Sequence, residues 1–144
     1  MRAKATTKSR SNPRAPGAEE ASRLEAKIRT LVWEDTRPWG KFRSYPYRQA
    51  RSIKIITVNP GAALSLQFHH FRSEFWVVLD PGLEITVGRR TWRPKKGEEI
   101  FIPPRAPHRL RCFGKRPGRV MELWLGKSAE DDIVRLKDDY GRVT

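Results

Sequence analysis

From residue 53 onward the chain is written in short alternating stretches separated by proline and glycine, and this pattern most narrows what it can fold into. Ile53, Ile55 and Thr57 alternate with Lys54, Ile56 and Val58, and Leu64, Leu66 and Phe68 alternate with Ser65, Gln67 and His69. Residues 75–79, 83–87, 99–102, 108–112 and 120–125 continue the series. A period of two sends successive side chains to opposite faces of a strand. Between the stretches stand Asn59-Pro60-Gly61, Asp80-Pro81-Gly82, Lys96-Gly97, Pro103-Pro104 and residues 114–118, all turn-forming sequences. Many short strands at this spacing predict an all-β sandwich or barrel. Helical spacing is confined to residues 18–31, where Leu24, Ile28 and Leu31 share a face, and a polar helical turn is expected over 129–139. The predicted organisation is a disordered basic tail (1–17), a helical arm (18–35) and a single β domain (36–144), which suits a chain of 144 residues.

The chain carries 30 Lys+Arg against 16 Asp+Glu, a formal net charge of +14. Residues 1–35 contribute only +3 of this, so the basicity belongs to the body. Its densest part is Arg89 to Arg119, with eleven basic residues against Glu98 and Glu99. Such a field attracts anions, whether a phosphorylated small molecule or nucleic acid, and it also describes an ordinary solvated arginine-rich surface. No run approaches the ~20 apolar residues of a membrane-spanning helix, so no membrane partner is expected. No apolar secretory stretch follows Met1, and Pro13 and Pro16 break any amphipathic transit helix, so the expected compartment is the cytoplasm. The single cysteine, Cys112, cannot form an internal disulfide or an all-thiolate zinc site and is expected as a small buried strand residue.

Chemistry concentrates in two places. Gln67 and His69 are two apart and leave the same face of a strand. Glu74 follows the polar tetrapeptide His70-Phe71-Arg72-Ser73, and His108 comes far downstream, after the rigid turn Ile102-Pro103-Pro104-Arg105-Ala106-Pro107. If the β-structure lays the second stretch beside the first, two imidazoles, a carboxylate and an amide oxygen converge. Mixed nitrogen and oxygen ligation of this kind suits Zn, Fe, Mn or Ni. The alternative is that both histidines are ordinary strand residues.

The stretch from Pro60 to Val78, PGAALSLQFHHFRSEFWVV, resembles the first cupin motif of the type II mannose-6-phosphate isomerases, the family that also forms the C-terminal domain of bifunctional mannose-1-phosphate guanylyltransferase/isomerases. Residues Gly97 to Leu110, GEEIFIPPRAPHRL, are similar to the second cupin motif. Arg37-Pro38-Trp39-Gly40 and residues 130–142, EDDIVRLKDDYGR, are similar to two flanking signatures, so the resemblance runs in order over about residues 36–142. It implies a cupin, a double-stranded β-helix or jelly roll, with a divalent metal in its mouth held by Gln67, His69, Glu74 and His108. Zinc is the first expectation, with Mn, Co, Fe and Ni as alternatives. The implied reaction interconverts mannose 6-phosphate and fructose 6-phosphate, which needs a Lewis acid beside the developing enediolate and a base that moves a proton between C2 and C1. Lys54 and Arg72 are the cations nearest the motif and the candidates to hold the phosphate, and Glu122 is the candidate base. A homodimer is implied as well.

The chain also departs from that pattern. Phe71 and Phe75 stand where the family usually has histidines, Trp124 where it usually has glutamine, and Arg105 where the second motif has glycine. If the three aromatic residues line the pocket, it is drier and narrower. If Phe71 and Phe75 point elsewhere, they say little about catalysis. Trp39, Trp76 and Trp92 are expected in core or edge packing, and the acidic run Glu130 to Asp132 as a helix N-terminal cap. Three readings of function follow: a metal-dependent sugar-phosphate isomerase, a non-catalytic metal-containing sugar-binding or regulatory cupin, and, third, a nucleic-acid-binding basic module.

Overall fold

A computed structural model describes residues 17–38, 40–47, 50–126 and 131–142. The expectations for residues 1–16, for Trp39 and for Glu130 lie outside the described residues.

Helix α1 (Ala18–Arg29) is built mainly from Ala, Glu, Leu, Lys and Arg, all strong helix formers. Glu19 and Glu20 in its first turn and Lys27 and Arg29 in its last complement the helix dipole, and Arg29 Nε meets Glu25 at 2.7 Å along one face. The predicted arm is shorter than expected: strand β1 (Trp33–Arg37) already begins inside it and forms an antiparallel hairpin with β2 (Gly40–Ser44).

The remaining strands are β3 (Ala50–Val58), β4 (Leu66–Phe68), β5 (Arg72–Val78), β6 (Leu83–Val87), β7 (Arg90–Trp92), β8 (Glu99–Ile102), β9 (His108–Cys112), β10 (Gly118–Gly126) and β11 (Val134–Lys137). They form two antiparallel sheets, ordered β3-β10-β5-β8 and β11-β4-β9-β6-β7. Apart from the β6–β7 hairpin, successive strands change sheet at each step, which is the double-stranded β-helix expected of a jelly roll. Residues 129–139 were expected to turn helically; instead Val134–Lys137 is a strand, because its backbone pairs with β4, Val134 opposite Phe68 and Arg135 opposite Gln67.

Two cores result. Between the sheets lie Val58, Trp76, Val78, Leu83, Ile85, Ile100, Ile102, Leu110, Cys112 and Val120. On the outer face of the first sheet lie Phe75, Val77, Phe101, Leu123, Leu125 and Tyr47, and Leu24 and Ile28 of α1 pack over them together with Val32 and Tyr45. β5 is therefore buried on both faces along its whole length. The side chains of β3 divide the other way from what hydropathy suggests. Lys54, Ile56 and Val58 turn inward, while Ile53 and Ile55 are 66% and 61% exposed on an edge strand. Among the described residues no helix is long and apolar enough to cross a membrane.

Candidate metal centre

The inner face of the first sheet changes character along its length. At one end it is apolar, through Val58, Val78 and Val120. Towards the other end the register sets Lys54 and Trp76 on either side of Glu122, and Ser52 and Glu74 on either side of Trp124. Glu122 thus sits in the middle of β10. The opposing sheet brings His108, the first residue of β9, next to Gln67 of β4, while His69 lies just past the end of β4.

These segments bring together His69, Glu74 and His108, one ligand atom from each lying within 4.8 Å of the others, and all three side chains are buried. The tautomers follow from the partners. His69 Nδ1 faces the main-chain carbonyl of Asp132 at 2.6 Å, and His108 Nδ1 faces that of Ala106 at 2.9 Å. A carbonyl only accepts, so both Nδ1 atoms carry the proton and donate it. Arg72 Nη2 donates to His69 Nε2 at 3.0 Å, so this nitrogen offers a lone pair. Burial pushes the His108 imidazole below its ordinary value against the pull of Glu74, so its Nε2 is bare as well, and that buried nitrogen has no hydrogen-bond partner. The two Nε2 lone pairs point at the Glu74 carboxylate, at 3.0 Å from Oε1 and 3.6 Å from Oε2. Burial alone would drive the Glu74 carboxyl upward, yet the hydrogen-bond donors and positive charge around it, Arg72 Nε on Oε1 among them, hold it well below the usual carboxylate range. Three electron-pair donors facing one another in a buried space suit a cation shared between them, and the donor set fits a divalent metal. Trp76 Nε1 donates to Glu74 Oε2 at 2.8 Å, so this tryptophan orients the carboxylate as well as filling the core.

Gln67 lies beside His108 in the sheet, and its amide oxygen accepts a bond from Ser65 Oγ at 2.8 Å, leaving a second lone pair. The Arg72 guanidinium is clasped to the cluster, with Nε 3.0 Å from Glu74 Oε1. Its Cζ also lies 3.6 Å from the centre of the Trp124 ring, and Lys54 Nζ lies 4.0 Å from the same ring. Trp124 Nε1 donates to Glu122 Oε1 at 2.6 Å. Burial, followed by the charge of Glu74, pushes the Glu122 carboxyl up to about 8.

Of the three aromatic departures, only Trp124 belongs to the site. Phe75 points to the opposite side of β5, where it packs 5.7 Å from Tyr47 and 6.0 Å from Tyr45, and Phe71 is 56% exposed. Neither makes the cluster drier. Among the described residues no helix follows the acidic run. Asp132 instead accepts the N–H groups of His70 (2.8 Å) and Phe71 (2.9 Å) on its carboxylate while its carbonyl holds His69, so it fixes the strap that carries a ligand. Sequence reasoning missed this role, and the only signal was an acidic residue inside a family motif. Arg105 closes the other side of the strap: its N–H donates to the His69 carbonyl at 2.6 Å and Nη1 to that of His70 at 3.2 Å. Within the basic stretch, Arg93, Arg109 and Arg119 are engaged with Glu84, Asp139 and Asp80.

The chain matches, over residues 23–138, the family described as mannose-6-phosphate isomerase C-terminal. It is 41% identical over 125 residues to the xanthan biosynthesis protein XanB of Xanthomonas campestris pv. campestris, covering 86% of this chain and 26% of that protein. It is 42% identical over 108 residues to the mannose-1-phosphate guanylyltransferase ManC of Salmonella typhimurium, covering 74% of this chain and 22% of that one. The chain thus spans about a quarter of the length of these relatives. Among solved structures, a Klebsiella pneumoniae protein with a double-stranded β-helix domain superposes with a TM-score of 0.54 at 16% identity, over 69% of this chain and 89% of that one, a likeness of fold. With sheets that alternate as a cupin's do and a sequence match running through both motif stretches, the chain belongs to the mannose-6-phosphate isomerase C-terminal family.

Proposed function

We propose that this domain is a metal-dependent sugar-phosphate isomerase of the mannose 6-phosphate type, acting in the supply of sugar-nucleotide and polysaccharide precursors. The observation that carries this reading is the convergence of two bare imidazole nitrogens and one ionised carboxylate from distant segments. His69, Glu74 and His108 would hold the cation, with the spare lone pair of Gln67 as a fourth donor. Zinc is the first candidate, ahead of Mn, Co, Fe and Ni. A cation bound there supplies Lewis-acid polarisation of the sugar oxygens. Glu122, the second acidic group on this inner face, takes the proton from one sugar carbon in its ionised form and returns it to the next. Lys54, across the strand from Glu122, holds the phosphate, and Arg72 is the second cation within reach. The test is a coupled assay with mannose 6-phosphate and added Zn, Mn or Co. Absence of turnover with every metal refutes the activity.

One observation favours a second reading, a sugar-binding or regulatory cupin that keeps its metal without turnover. His69, Glu74, His108, Arg72, Glu122 and Trp124 are each no more than 5% exposed, a closure more typical of structural than of catalytic metals. That reading predicts bound metal and a rise in melting temperature with sugar phosphate, with no product formed.

A further inference from the structure

Arg72 makes contacts of a kind that a phosphate-binding arginine does not need. Its Nε and Nη2 atoms donate to Glu74 Oε1 and His69 Nε2, both at 3.0 Å, and these are two of the three electron-pair donors that converge at the centre. A guanidinium has donors only and a metal ion accepts electron pairs only, so both require the same lone pairs. The two also carry like charge in a buried space, where repulsion is weakly screened. The guanidinium is not fully satisfied where it lies, since Nη1 is buried without a hydrogen-bond partner. A buried charged donor left in that state weakens the hold of the whole group. What keeps it in place from the other side is Trp124, whose ring centre is 3.6 Å from Cζ.

We propose that Arg72 is an internal cation that competes with the metal ion for His69 and Glu74, and that Trp124 presses it onto those ligands. Metal uptake then requires the guanidinium to leave His69 Nε2 and Glu74 Oε1, which lowers the affinity of the site. The proposal rests on the reading above that His69, Glu74 and His108 hold a metal. It assigns Trp124 a role in setting metal affinity through Arg72, as a positioning residue.

Zinc affinity of the full chain, measured by competition with a chromophoric chelator, separates the alternatives. Two charge-assisted hydrogen bonds are lost from the ligands in Arg72→Ala, so this variant is expected to bind zinc about tenfold or more tightly than the parent. Trp124→Gln, which keeps the guanidinium but removes its backing, is expected to fall between the two. An arginine with a purely structural role predicts the reverse order, because its loss would loosen the ligands. Should Arg72→Ala fail to fold, the parent still decides. Zinc, which is spectroscopically silent, should change the emission of Trp124 as the guanidinium leaves the indole, read as the part of the tryptophan change that Trp124→Phe removes, since Trp76 also touches the ligand Glu74. Binding of zinc by the parent without that change overturns the proposal. His108→Ala, at a ligand Arg72 does not touch, serves as the control for the site. If neither the parent nor Arg72→Ala takes up zinc, the metal-centre reading fails and this proposal with it. If the parent binds zinc through His108 and Arg72→Ala binds it no more tightly, this proposal alone fails.

Discussion

Arg105 offers the sharpest test of how the turn between β8 and β9 is built. Its φ of +64° lies in the left-handed region, the only such non-glycine residue among those described. That conformation costs a residue with a Cβ roughly 1–2 kcal/mol, which glycine avoids. The main-chain bond from Arg105 to the His69 carbonyl survives any substitution, whereas the Nη1 bond to the His70 carbonyl does not. Arg105→Ala keeps the strain and loses that side-chain bond, so it should be destabilised by about 1 kcal/mol. Arg105→Gly loses the same bond and relieves the strain, but it gives the unfolded chain roughly 0.5–1 kcal/mol of extra freedom. It should therefore lie within about 0.5 kcal/mol of the parent, and above Arg105→Ala by roughly 0.5–1 kcal/mol. The difference between the two variants is the informative quantity, because the lost hydrogen bond cancels. Urea unfolding followed by tryptophan fluorescence reads it as a shift in midpoint at constant m. If the alanine variant is as stable as the glycine variant, or more so, the left-handed turn described here is wrong.

Other substitutions probe the packing, the strap and the buried phenol. A Cβ on Gly118 would come within 2.8 Å of Leu83 Cγ, and Leu83 is fully buried, so Gly118→Ala should lose about 1–3 kcal/mol in urea; a variant as stable as the parent contradicts the packing of β6 against β10. Asp132→Ala removes the carboxylate that holds the His70 and Phe71 amides and should weaken cobalt or zinc binding about tenfold, read by direct titration; unchanged affinity would mean the strap needs no such anchor. Tyr47 has its phenol pushed up to about 12 from 10.0, by burial first and then by the charge of Glu99. Because the shift comes from excluding the phenolate and not from a bond to the phenol, it adds nothing at neutral pH and withdraws stability as pH climbs from the unfolded value through the folded one, by about 3 kcal/mol in all. Tyr47→Phe should flatten this alkaline loss. It should also be neutral or slightly stabilising near pH 7, because the hydroxyl is buried without a partner; urea midpoints at neutral and alkaline pH test both points.

The strands of the jelly roll were legible because their signal is local. Alternation along Ile53 to Val58, and the Pro and Gly turns between stretches, act through a residue's own neighbours and need no knowledge of the fold. The grouping of His69, Glu74 and His108 was legible only with the help of the motif resemblance, since spacing along one strand cannot say what the opposite sheet brings to it. Residues 129–139 read as a helical turn because acidic and basic residues dominate them; the alternation Val134-Arg135-Leu136-Lys137 within them is only four residues long, and pairing with β4 is what makes it a strand.

By itself the sequence determined the places of seven of the eleven described strands, the turns between them and the residue types available for metal binding. The tertiary structure alone decided which side of each strand counts. Phe75 and Glu74 are adjacent in β5, yet one packs beneath α1 and the other faces the imidazoles, because both faces of that strand are covered by different layers. Ile53 and Ile55 remain in solvent for the complementary reason: they lie on an edge strand, beyond the apolar layer that Leu24, Ile28 and Val32 complete. Burial is a property of what lies across the gap, and no local pattern records it.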